Sequence, residues 1–101
     1  MKDIVWTLAA EADTQEIYAR LELWEEGFGD AFYADVLHVT RLLAQFPELG
    51  TPLNHRRLRR VLLHNRHYGL FYVSEARGVV LHALFDLRQD PAMIERRLRG
   101  I

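Results

Sequence analysis

Two apolar stripes at helical spacing, separated by a glycine-flanked phenylalanine, constrain this chain most. Between Leu8 and Glu26, the residues Ala10, Thr14, Ile17, Leu21 and Trp24 recur every three or four positions. That spacing puts them on one face of a helix, and Thr7 is placed to cap it. A second stripe of Phe32, Val36, Val39, Leu43 and Phe46 predicts a helix over 30–46. Pro47 ends it, because proline disfavours helical geometry in the residue before it. Gly27-Phe28-Gly29 supplies the backbone freedom for a tight turn between them. A connection this short makes the pair an antiparallel hairpin.

The rest of the chain reads as sheet. Ile4-Val5-Trp6 is a short strand before the first helix. Residues 48–54, with Gly50 and Pro52, read as loop. Strands are expected at 57–63, 68–74 and 79–85, with turns at His64-Asn65-Arg66-His67 and Arg77-Gly78. Arginine and leucine alternate imperfectly in the first of these strands, so its phase stays open. Asp90-Pro91 looks like an N-cap and first helical residue, opening a helix through Leu98. The order β-α-α-β-β-β-α defines a single α+β domain over 1–101. Its helices are expected to gather on one face of a small, mostly antiparallel sheet. Trp6 and Trp24 are expected to anchor hairpin to sheet, and Tyr68 and Tyr72 to share a sheet face.

Half of the residues are hydrophobic, enough for a core without metal or disulfide staples. There is no cysteine, which excludes a disulfide framework, thiolate zinc sites and thiol catalysis. No run approaches the ~18 apolar residues of a membrane span. The N-terminus lacks the pattern of a signal peptide, so the expected location is cytoplasmic, with no membrane partner. His64-x-x-His67 lacks a third ligand, so no metal site and no cofactor are expected.

Charge is split along the chain. Residues 1–50 carry three cationic side chains against ten acidic ones, and residues 51–101 carry ten arginines against four acids. The acids fall on the helical hairpin and the arginines mostly on the sheet, so one face is basic. Arg56, Arg57, Arg59 and Arg60 are the densest cluster. Charge on a sheet edge prevents edge-to-edge aggregation, and the guanidinium fork also matches phosphates and carboxylates. Asp86 and Arg88, two apart at a strand end, are placed to form an ion pair. His64, His67, His82 and Asp86 are the groups available for acid–base work, although turn histidines are usually just solvated.

Several segments, in order, resemble the RelE/ParE superfamily of bacterial type II toxins. These are Trp6-Thr7 before an alanine-rich helix, Phe46-Pro47-Glu48-Leu49-Gly50 closing the hairpin, and Arg57-Leu58-Arg59 opening a strand. They continue with the aromatic strand Tyr68-Gly69-Leu70-Phe71-Tyr72. The last is Ala83-Leu84-Phe85-Asp86-Leu87-Arg88-Gln89-Asp90-Pro91, which is similar to the ending of the ParE, or plasmid-stabilisation, branch. The chain departs from many relatives in having Arg88-Gln89 where they have two arginines, and Asp86 where they have histidine.

The resemblance implies a toxin restrained by a ParD-like antitoxin in a hetero-oligomer. RelE-like members cut messenger RNA on the ribosome without metal, and ParE-like members poison DNA gyrase. Residues 92–101 hold neither tyrosine nor histidine, and the second half holds no lysine. Both facts favour the gyrase branch, with no catalytic residue. The expected target-binding face is Arg57, Arg59, Arg60, Arg66 and Arg88. The expected antitoxin contacts are Tyr18, Tyr33 and Leu37, off the main helical stripes. The alternatives are a ribosome-dependent endoribonuclease and a degenerate toxin that only binds antitoxin.

Overall fold

A computed structural model describes residues 1–63 and 65–101. Among them the elements run β1 (Ile4–Trp6), α1 (Leu8–Trp24), α2 (Phe28–Gln45), β2 (Thr51–Pro52), β3 (Arg59–Leu63), β4 (Tyr68–Glu75), β5 (Gly78–Asp86) and α3 (Pro91–Arg99). The strands form one sheet in the order β1-β5-β4-β3-β2, with β1 parallel to β5 and every other pair antiparallel. The α+β order and the hairpin therefore stand as expected. The short β2 edge lies inside the segment expected to be loop. The 57–63 strand begins two residues late because Arg57 sits in a turn.

The hairpin closes through a residue that periodicity does not reveal. Gly27 sits at φ +93 and caps α2 without a side chain. The Glu22 carboxylate, reaching over from α1, accepts from Gly27 N–H at 3.2 Å and from Asp30 N–H at 3.1 Å. An acid at a helix N-terminus satisfies free amides and opposes the positive end of the dipole. Of the expected Gly-Phe-Gly break only Gly27 lies outside a helix. Gly29 is the first turn of α2, where a Cβ would come within 2.6 Å of the Glu22 side chain.

The main core lies between hairpin and sheet. Ile17, Leu21, Phe32, Val36, Val39 and Leu43 meet Leu63, Tyr68, Leu70, Tyr72, Val79, Leu81 and Leu84. Tyr68 and Tyr72 do share this face. Tyr72 is fully buried, yet its hydroxyl is satisfied: it donates to Pro47 O and accepts from Gly50 N–H, both at 2.8 Å. A buried phenol needs such partners, and this one fixes the chain leaving α2. Trp24 does not anchor the hairpin to the sheet as its place on the stripe predicts. It is 78 % exposed at the hairpin tip, whereas half-buried Trp6 does pack on the core. Phe46, the last residue of the second stripe, is also exposed because α2 stops one residue before it.

A bulge lets the sheet carry a second core. Phe71 pairs with Ala83 but Tyr72 pairs with Leu81, so His82 is the extra residue on β5. The bulge resets the alternation: Val79, Leu81 and Leu84 face the hairpin, while Ala83 and Phe85 face away. On that opposite side Leu58, Phe71, Val73, Ala83 and Phe85 are covered by Leu53, Ile94, Leu98 and Ile101. So α3 does not join the hairpin's face. It packs on the reverse of the sheet, and none of its residues is fully buried.

Beyond β1, the outer edge of β5 is covered by side chains. Asp13 of α1 accepts from Leu84 N–H at 3.1 Å and grips Arg97 of α3 through both carboxylate oxygens, at 3.1 and 2.9 Å. The Arg97 guanidinium also lies 4.8 Å from the centre of the Phe85 ring. One carboxylate thus ties the first helix, an edge amide and the last helix together.

Candidate interaction surfaces

The three expected antitoxin contacts lie on one side of the hairpin. Tyr18 and Tyr33 meet edge to face with centroids 6.5 Å apart. The Tyr18 hydroxyl donates to Asp30 Oδ1 at 2.6 Å, and that bond to a carboxylate pushes its pKa up to about 12. Leu37, half-buried, follows Tyr33 by one turn of α2. Trp6, Glu11, Thr14 and Gln15 continue the same shallow groove toward β1. The groove combines aromatic faces with a few polar atoms, a combination suited to an amphipathic peptide segment.

The five arginines expected at the target face do not converge. In β3 adjacent residues point to opposite sides. Arg59 lies on the hairpin side and donates to Glu48 O at 3.1 Å and Gly50 O at 2.8 Å, holding the loop after α2. Arg60 lies on the other side, with its Nε buried and unpartnered. Arg57 precedes β3, and Arg66 follows it at the opposite end of the strand. Both are exposed. Arg88 forms the expected ion pair, donating to both oxygens of Asp86 at 2.9 and 3.0 Å. That pairing, ahead of the opposing effect of burial, holds the Asp86 carboxyl below the usual range.

Arg57 and Arg66 share an unusual backbone. Arg56 and Arg57 have φ of +48 and +60, and the His55 carbonyl accepts from Leu58 N–H at 2.8 Å across them. Positive φ at both central residues is the type I′ pattern, where Asn-Gly is the usual occupant. Asn65 and Arg66 have φ of +60 and +68 in the next turn. Arginine thus occupies, at the last position of each pair, a conformation that favours glycine.

The acid–base groups are scattered. His64 lies outside the described residues. His67 is exposed, and its carbonyl accepts from Leu87 N–H at 2.8 Å, which places it near Asp86 and Arg88. His82 sits farther down β5 at the bulge, where burial pushes its pKa down. Among the described residues no group of three or more His, Cys, Asp or Glu could hold a metal ion, and no helix is long and apolar enough to cross a membrane.

A helical hairpin backs a single five-stranded sheet, and the described acid–base groups are spread over it rather than gathered at one point. The model of the ParE toxin family, from parDE type II toxin–antitoxin systems, matches residues 4–91. A comparison with curated proteins finds no match. Among solved structures, a chain of the chromosomal ParDE toxin–antitoxin system from P. aeruginosa is similar in fold. Its TM-score is 0.75 at 15 % identity, over 87 % of this chain and 98 % of that one. The chain belongs to the ParE toxin family of type II toxin–antitoxin systems.

Proposed function

We propose that this toxin arrests bacterial growth by poisoning DNA gyrase through protein contact, and that a ParD-like antitoxin neutralises it. The family match over residues 4–91 carries the reading. Two features support contact over RNA cleavage. Asp86 is held as an anion by Arg88, and His82 stands apart from the His67 end of the sheet. Cleavage without metal needs a base and an acid on either side of one phosphate. On this reading the antitoxin segment uses the Trp6–Tyr18–Tyr33 groove, with Leu37 one turn of α2 beyond Tyr33, and orders as it binds. Among the target-face arginines, Arg57, Arg60 and Arg66 are the ones left for a partner, with Arg59 and Arg88 holding their surroundings.

Inducible expression in bacteria tests this, reading growth, plasmid supercoiling and transcript ends in one culture. Arrest with altered supercoiling and intact transcripts is expected, and relief by the co-expressed antitoxin. New transcript ends inside codons would instead make the chain a ribosome-dependent nuclease. Absence of arrest would leave only the antitoxin-binding role.

A further inference from the structure

The hairpin tip carries an apolar surface that the fold does not use. Leu23 is 89 % exposed, Trp24 78 % and Phe28 42 %, and the Trp24 and Phe28 rings meet edge to face at 6.4 Å. Exposed tryptophan beside exposed leucine is costly to keep in water unless a partner covers it. The mounting is rigid, since Glu22 locks the turn by its bonds to Gly27 and Asp30. A fixed aromatic anchor loses little freedom on binding, and buried tryptophan is a common energetic centre of interfaces.

The charge around the tip selects the partner. Residues 21–40 contain Glu22, Glu25, Glu26, Asp30 and Asp35 and no lysine or arginine. So dense a negative field repels nucleic-acid phosphates and anionic lipid, and steers encounter toward a cationic surface. An enzyme that holds DNA must present such a surface to neutralise phosphates.

We infer that the Leu23–Trp24–Phe28 tip docks on the cationic DNA-binding surface of the toxin's protein target, with Trp24 entering an apolar pocket edged by lysine and arginine. The inference rests on the gyrase reading, and it puts the acidic end of the molecule, beside the arginines, in contact with the target.

Purified gyrase is the probe, and inhibition of its supercoiling reaction is the readout. Trp24→Ala should need at least about tenfold more toxin for equal inhibition, as for an interface hot spot, with the thermal transition unchanged because the side chain is exposed. Charge reversal in the double variant Glu25→Lys/Glu26→Lys should also weaken inhibition and flatten its dependence on salt. Leu49→Ala, half-exposed at the other end of the hairpin, should behave as wild type. Undiminished inhibition by Trp24→Ala overturns the inference while the gyrase reading stands. So does Trp24-dependent self-association of the free chain without loss of inhibition, or loss of antitoxin neutralisation alone, since either assigns the tip to another occupant. A wild-type chain that leaves gyrase untouched sinks both.

Discussion

Single residues in this protein depart from local preference in ways that can be measured. Arg57 and Arg66 hold left-handed backbone at exposed turns. Such a conformation costs a non-glycine residue on the order of 1–2 kcal/mol, and glycine gives back part of that through its greater unfolded freedom. Arg57→Gly and Arg66→Gly should therefore each stabilise the fold by about 0.5–1 kcal/mol in denaturant unfolding. A gain in stability accompanied by a loss of growth arrest would mark strain kept for contact. His82 gives a second test. Its folded pKa lies below the ordinary value of 6.5 because the bulge buries it. The fold then favours the neutral ring, so stability is full above that value and declines as pH falls from 6.5 toward the folded pKa. His82→Gln should flatten this part of the pH–stability curve. A curve unchanged in the variant would assign the slope to another group.

At the scale of elements, the most vulnerable piece is α3. None of its residues is fully buried, and the Asp13–Arg97 grip adds a tie to α1 beside the packing of Ile94 and Leu98 on the second core. Removing Asp13 also leaves Leu84 N–H without its acceptor, a loss of about 1–3 kcal/mol for a shielded group. Asp13→Ala should thus expose the 96–99 arginines to trypsin well before the hairpin is cut, and equal resistance in both proteins would refute the clasp. The elements themselves were mostly legible in the sequence. The stripes gave the helices, and Asp90-Pro91 gave the start of α3, because both signals are local. Three features were hidden because they depend on partners distant in sequence. Trp24 continues a helical stripe that the sheet does not extend far enough to cover. The bulge at His82 is visible only against the register of β4. The placement of α3 on the reverse face follows from Ala83 and Phe85 turning outward after that bulge.

The whole molecule keeps its surfaces apart. The aromatic groove lies along the hairpin, the exposed arginines mark the two ends of β3, and Asp86 with Arg88 closes the far end of β5. If groove and arginines serve different partners, their variants should separate. Leu37→Glu should weaken antitoxin binding far more than Arg57→Glu with Arg66→Glu, as read by calorimetric titration with the antitoxin. The reverse ranking would move the antitoxin onto the sheet. The sequence already held this separation in its split of charge. It also placed Arg88 beside Asp86, two residues away, but it did not show that Arg59 is tied to the carbonyls of Glu48 and Gly50, because those bonds join residues that the fold alone brings close.

The parallel pairing of β1 with β5 has a consequence in time. Ile4 waits for Val79, and Asp13 for Leu84 and Arg97, whereas the hairpin over residues 8–45 is built from neighbours. Contacts distant in sequence form late because the chain between them must first be closed. On the ribosome, the Tyr18–Tyr33 part of the groove proposed for the antitoxin can take shape while β3, β4 and β5 are still being made. If that groove is where the antitoxin binds, a waiting antitoxin would find its site before the sheet was complete.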